Sequence, residues 1–499
     1  MVTEGSGLFR ESETRPLRQA PVPDTDMIFR VMNQVRRALV ALLIIAAASC
    51  APTPAPEART ASRFESLRQQ PDALLEFIRQ MPKGGDLHSH LAGSIYAETL
   101  ITWAAESGLC VNRTTVALVK PPCSATLGQV PASTALTDAA LYGAMVDGWS
   151  MRNWPAAERS GRDHFFATFD KFLPATSGRL GAMLAEAVTR AADGHVSYLE
   201  LMITPDDGLA ARIAQQSPWN DDFAAARSAL QAHGIDQAVR KVREAIRAAE
   251  IERDRLLKCG LPEASAGCTV TVRYLYQALR ALPPPALFAQ LVTGFTLAND
   301  ADSGVVGVNL VQPEDDPSVI QNFAVQMRML QFLRPLYPNA HLSLHAGELR
   351  PQAPSGGAPL THVRDAMAIA GADRIGHGVD VIGEPDAPQL LAEMARRRVL
   401  VEICLTSNDL ILGVRGAAHP IAAYIRAGVP VALATDDEGV SRSDMSREFF
   451  KAAVDQRLGY LELKAMARAS LQYAFVDAGE KARLQSELER AFAVFEARQ

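Results

Sequence analysis

Short apolar runs that finish in polar residues recur along the chain, separated by longer stretches whose apolar residues return every three or four positions. Eight runs read as strands: 85–91, 196–202, 269–276, 305–311, 341–345, 374–377, 399–404 and 430–435. Helical spacing marks 180–192, 235–257, 322–333 and 387–397. Phe64, Leu67, Leu74, Leu75, Phe77 and Ile78 predict a further helix over 59–81, leading into the domain. Strands that alternate with helices in this way predict an α/β fold, a parallel sheet closed as a (β/α)8 TIM barrel with an N-terminal helical extension. No internal repeat points to a solenoid. Two insertions interrupt the pattern, 108–149 (rich in Pro, Ser, Thr and Ala) and the polar stretch 204–223. Both are expected on the surface, where either could help to cover a site.

The ends of these strands carry the chemistry. In a barrel the C-terminal strand ends surround the active site, and a buried strand has no reason to finish in histidines and carboxylates unless they converge. The first run ends Asp86-Leu87-His88-Ser89-His90; strand alternation puts His88 and His90 on one side, where both can reach a single metal ion. The fifth ends His345-Ala346-Gly347-Glu348, with Gly347 permitting a turn that brings Glu348 beside His345. The sixth ends Gly376-His377-Gly378 and the eighth Thr435-Asp436-Asp437. Together they supply three histidines and an aspartate for one zinc ion, and leave further acid, base and orienting groups. Zinc takes such N and O ligands, keeps one position open and lowers the pKa of water to about 7.

The run from Met81 to Ser94 (MPKGGDLHSHLAGS) resembles the opening motif of the adenosine deaminase family. Ser343–Glu348, Arg374–Gly378, Glu402–Asn408 and Thr435–Asp437 are similar to its later motifs, in the same order, and Phe165–Pro174 resembles the segment that caps its pocket. The resemblance runs from about Phe77 to about Phe475. It implies that His88, His90, His345 and Asp436 hold zinc, with His90 also against the substrate. Glu348 would protonate the purine nitrogen beside the attacked carbon, and His377 would orient the water. Asp437 would fix the five-membered ring, and Phe165 and Phe169 would line the pocket. Three positions depart from the pattern: Ala92 replaces an acid that contacts ribose, and Asn309 and Gln312 replace Asp and Gly. These departures are expected to leave the metal chemistry intact and to alter the sugar and N3 side, where Gln312 would fill the space that Gly leaves open.

The implied reaction is hydrolytic deamination of adenosine or 2′-deoxyadenosine to the 6-oxo nucleoside and ammonia. Its rivals are deamination of another amino-heterocycle, such as an N6-substituted purine or adenine, and a non-catalytic nucleoside-binding lipoprotein. The fourth strand has no lysine, against two-metal hydrolases that need a carboxylated lysine there. The His-x-Glu and Cys-x-x-Cys ligands of nucleobase-editing deaminases are absent as well. His164, His195, His233, His341, His362 and His419 read as surface or structural, and Cys404 as a packing thiol.

Composition adds the setting. The chain of 499 residues is 48% hydrophobic and 21% charged, with a net charge of −6 and no long basic run, which disfavours nucleic acid as a partner. Arg36-Arg37, the apolar stretch 38–48 and the small residues before Cys50 form an export signal, too short to span a bilayer. Residues 1–49 are thus expected to be the signal region, with lipoprotein processing at Cys50 and a tether over 50–62. The barrel domain would occupy 63–499 in a periplasmic or cell-surface protein, held to the membrane only through Cys50. Cys110 with Cys123, and Cys259 with Cys268, bracket loops and suit disulfides in an oxidising compartment.

Overall fold

Each apolar run of the sequence becomes a barrel strand in the computed structural model, which describes residues 55–157, 159–220, 222–350 and 360–499, together with 32–34 and 36. Cys50 and most of the signal region lie outside the described residues. The strands are β1 (Gly84–His90), β2 (Val196–Ile203), β3 (Thr271–Leu279), β4 (Val305–Val311), β5 (His341–Ala346), β6 (Arg374–His377), β7 (Leu400–Ile403) and β8 (Val431–Leu433). Neighbours in this order pair in parallel throughout. The ring closes through one bridge, Ser89 with Asp436, where His90 N–H donates to Asp436 O and Asp436 N–H to His88 O, both at 2.9 Å. Structure and sequence agree on the TIM barrel.

The N-terminal extension is two helices, α1 (Pro56–Leu67) and α2 (Pro71–Gln80), rather than one over 59–81. Pro71 lacks the N–H that a continuous helix needs and serves instead as a first-turn residue. Helix α1 begins inside the stretch expected as tether, because Thr60 and Phe64 are buried and Glu57 pairs with Lys464 at 2.5 Å. Helix α3 (Gly161–Phe172) is not among the helices that the spacing predicts. Helices α4 (Leu180–Asp193), α5 (Asp236–Leu257) and α7 (Ala387–Arg397) follow the expected pattern closely, and α6 (Pro317–Leu333) starts five residues before the expected 322. Next come α8 (Tyr460–Gln472), packed on β1 and β8, and α9 (Ala478–Ala497). Among the described residues, no helix is long and apolar enough to cross a membrane.

The first insertion folds into a small antiparallel sheet of Cys110–Asn112, Leu118–Val119 and Gln129–Pro131, and the Cys110–Cys123 disulfide ties it. The Cys259–Cys268 disulfide closes the loop after α5. Inside the barrel, Arg374 is fully buried between Glu200 and Glu402 and stacks over Phe475 at 3.6 Å. A buried ion cluster of this kind adds little net stability. Its consequence here is positional, since Glu402 also accepts from His88 Nδ1 at 2.7 Å.

Candidate active site

The four polar strand ends meet at the floor of a cavity of about 570 Å³, within the usual range for a small-molecule site. His88 and His90 come from β1, His345 from β5, and Asp436 from the end of β8. The His345 Nε2 atom lies 3.2 Å from the Nε2 of both His88 and His90. Asp436 Oδ1 lies 3.6 Å from His88 Nε2 and 3.4 Å from His90 Nε2. Gly376 makes the approach possible: a Cβ there would lie 2.6 Å from His88 Cε1.

The nitrogens facing away from this centre settle what the facing ones can do. His88 Nδ1–H donates to Glu402 Oε2 (2.7 Å) and His345 Nδ1–H to Asn309 Oδ1 (2.8 Å). Asn309 Oδ1 also accepts the His345 backbone N–H (3.1 Å), an obligatory donor, which fixes that atom as the acceptor. His90 Nδ1–H donates to Gln277 Oε1 at 3.2 Å. With Nδ1 carrying the proton, each imidazole in its neutral form directs its Nε2 lone pair to the common centre. Burial and the neighbouring imidazoles hold His345 well below the usual histidine range, and burial lowers His90. Burial also disfavours charge on His88, yet Asp436 and Glu402 raise it to about 10. The cluster therefore draws in positive charge, and a divalent cation that displaced the His88 proton would meet three Nε2 lone pairs and the Asp436 carboxylate.

His377 is built differently. Ile421 N–H donates to His419 Nδ1 (3.2 Å), so His419 Nε2–H donates to Asn408 Oδ1 (3.0 Å) and Asn408 Nδ2 donates to His377 Nδ1 (3.0 Å). The chain starts from a backbone donor, so it leaves the His377 proton on Nε2, buried and without a protein partner. His377 Nε2 thus presents an N–H, not a lone pair. Although His88, His345, His377 and Asp436 lie close enough to form a ligand set, His377 is set up as a donor. Burial lowers its pKa to about 3, so it stays neutral. Both His377 and Asp436 adopt left-handed backbone (φ 65° and 60°), strain of a kind that gathers at functional sites.

Glu348 and Asp437 complete the floor. Burial, and then the charge of Asp436, push both carboxyl groups well above the carboxylate range. Glu348 Oε1 lies 3.9 Å from His377 Nε2. Its turn is pinned by Glu314, a fully buried carboxylate that accepts the backbone N–H of Gly347 (3.0 Å) and Glu348 (2.8 Å) and pairs with His362 (2.5 Å). Asp437 sits under Gly93, where a Cβ would fall 1.7 Å from its Oδ1; that oxygen is buried and without a protein partner.

Phe165 and Phe169 of α3 line the cavity as expected, and so do Ala92 and Gln312. One expectation needs correcting. Asn309 does not line the cavity but orients His345, so this departure from the family pattern bears on the metal centre, not on the sugar. The Gln312 side chain stands in the lining with its Oε1 anchored on Ala281 N–H at 3.0 Å, and its backbone is at φ 86°. Of the two insertions, the second borders the site through Thr204, Pro205 and Asp207. Cys404 is buried, its thiol pushed up by burial, as a packing residue should be.

The adenosine deaminase family model matches residues 165–491. An adenosine deaminase of Enterococcus faecalis is 32% identical over 200 residues, covering 39% of this chain and 53% of that protein. An aminodeoxyfutalosine deaminase of Streptomyces coelicolor is 35% identical over 159 residues, covering 32% of this chain and 38% of that protein. The chain thus spans about half, or less, of the length of the curated relatives it matches. Among solved structures, an adenine deaminase from Arthrobacter aurescens superposes with TM-score 0.54 at 16% identity, covering 82% of this chain and 98% of that one. An Arabidopsis protein complexed with IMP does so with TM-score 0.54 at 22% identity, covering 83% and 98%. At these identities the likeness is one of fold.

Proposed function

Because the chain belongs to the adenosine deaminase family, we propose that it hydrolytically deaminates a 6-aminopurine nucleoside, adenosine or 2′-deoxyadenosine, to the 6-oxo nucleoside and ammonia. One observation carries this reading: three imidazole Nε2 atoms and one carboxylate converge on a cavity floor that also holds two carboxyl groups with raised pKa.

His88, His90, His345 and Asp436 would hold the metal, and their N3O donor set with hydrogen-bonded Nδ1 atoms suits zinc. Bound zinc supplies Lewis acidity and a water of lowered pKa. The chain's own residues do the rest. Glu348 keeps its proton at neutral pH and donates it to the purine nitrogen beside the attacked carbon, making that carbon electrophilic. His377 Nε2–H orients the attacking oxygen. Asp437 hydrogen-bonds the five-membered ring, while Phe165 and Phe169 exclude water. The test is ammonia release from adenosine by the zinc-loaded protein, with His345→Ala as the control. Release that the control abolishes supports the reading; bound zinc without release sinks it.

A second reading keeps the chemistry and changes the heterocycle, to an N6-substituted purine or free adenine. Ala92 in the cavity lining favours it, because no acid is there to hold a ribose hydroxyl.

The relay behind His377 gives a further expectation. Asn408→Asp replaces the donating amide by an acceptor, which moves the proton to Nδ1 and strips Nε2 of its N–H. A wrong histidine tautomer can cost about 10⁴ in kcat at a catalytic triad; for an orienting role we expect a loss of about 100-fold, with zinc content unchanged. Wild-type kcat in this variant would show that His377 does not act as a donor.

The leader supports an exported protein lipidated at Cys50, and the two disulfides suit an oxidising compartment. Cys50→Ser is expected to move the protein from the membrane to the soluble fraction. Retention of the variant in washed membranes would exclude the anchor.

A further inference from the structure

Resting on the deaminase reading, the outer half of the same cavity bears on which nucleosides enter. The reacting end of a substrate must lie against His90, His345, Glu348, Asp436 and Asp437, most of them buried. The sugar and its 5′ carbon then extend toward the exposed rim, where Asp170, Leu173, Ser177, Gly178 and Asp207 stand. Two properties of that outer half are decisive.

The first is charge. Among the described residues lining the cavity there is no lysine or arginine, whereas the carboxylate of Asp170 stands at its exposed rim. The cations on α3 are engaged elsewhere: Arg162 is paired with Asp315 (2.6 Å), and Lys171 donates to Gly148 O (2.9 Å). Lys241 is paired with Asp207 (2.6 Å) and does not line the cavity. A phosphate brought to this rim would face the Asp170 carboxylate and no lining lysine or arginine to share its charge, a costly arrangement for an ion leaving water.

The second is the apolar wall. Phe166, Phe169, Leu180 and Met183 line the cavity, and Leu173 reaches its rim 41% exposed. Ala92 adds a methyl group to the lining in place of a hydroxyl-binding side chain. A polar 5′-hydroxyl gains little from such a wall. An alkyl group gains about fourfold in affinity for each methylene it buries.

We propose that the protein's preferred substrates are 6-aminopurine nucleosides whose 5′ carbon carries an uncharged apolar substituent, and that 5′-phosphorylated nucleotides are excluded. Leu173, Phe169 and Met183 select the substituent, and the acidic, cation-free rim rejects the phosphate.

The zinc-loaded protein tests this with three probes: adenosine, AMP and 5′-deoxy-5′-(butylthio)adenosine. The thioether is expected to show a kcat/KM at least tenfold above adenosine, expressed in KM, and AMP less than a hundredth of adenosine. Leu173→Arg, which adds a cation at an exposed position, is expected to raise the AMP-to-adenosine ratio at least tenfold. AMP turned over as well as adenosine, or a thioether no better than adenosine, would overturn the proposal and leave the deaminase reading standing. No ammonia from any of the three would overturn both.

Discussion

Glu348→Gln is expected to lower kcat for ammonia release by about 10⁴-fold while the protein keeps its metal, the upper end of what a positioned general acid contributes. The substitution is nearly isosteric, so the turn held by Glu314 through the backbone N–H of residues 347 and 348 should persist. What disappears is a transferable proton. Burial, reinforced by the charge of Asp436, pushes the Glu348 carboxyl well above the carboxylate range and favours its protonated form, and an amide N–H cannot be given up to a ring nitrogen. Metal analysis beside single-turnover kinetics separates the possibilities. Zinc retained with chemistry lost assigns Glu348 as the acid. Loss of zinc would make it a ligand, and kcat within tenfold of wild type would remove it from the mechanism.

Asp436→Ala should act on the other half of the site. Asp436 brings the only carboxylate that lies within 4 Å of both His88 and His90 Nε2 among the described residues. Without it three neutral imidazoles remain, a weaker set for a divalent cation. We expect zinc content below about a tenth of wild type, no measurable turnover, and a Tm that no longer responds to added zinc. In the wild type, zinc at a thousandfold excess over its Kd adds about 4 kcal/mol of stability. A variant that still binds one zinc per chain would relocate the metal away from Asp436, toward the His88, His345 and His377 nitrogens.

What the sequence made legible follows from distance along the chain. Strand and helix periodicity is local, and all eight strands lie within a few residues of where the apolar runs put them. The residues at their C-terminal ends needed only the barrel rule to be gathered into one site. The groups behind them were not legible. Glu402 supports His88 across 314 positions, and Gln277 supports His90 across 187. Such pairs depend on strand register, which periodicity does not fix. A signal did exist for Glu402, the lone charge in the otherwise apolar run Val399–Cys404. Asn408 closes the motif-like stretch Glu402–Asn408, but its role in the relay was not readable there. His419 and Glu314 carried no signal beyond polarity, since their importance lies in which atoms of a partner they leave free. The division of 59–81 into two helices was available in Pro71, whose missing N–H outweighs the continuous apolar stripe.

The single bridge that shuts the ring has a kinetic side. Thr435 donates its hydroxyl to Asp86 at 2.5 Å across 349 residues, and Ser470 of α8 caps the same seam from outside by accepting Gly85 N–H at 2.7 Å. Joining ends so far apart costs chain entropy before any contact repays it. The first strand leaves the ribosome long before its last neighbour exists, and its outer edge must wait unpaired through most of synthesis. The histidines of that strand wait with it, so the nascent chain acquires its complete ligand set only when its two ends meet.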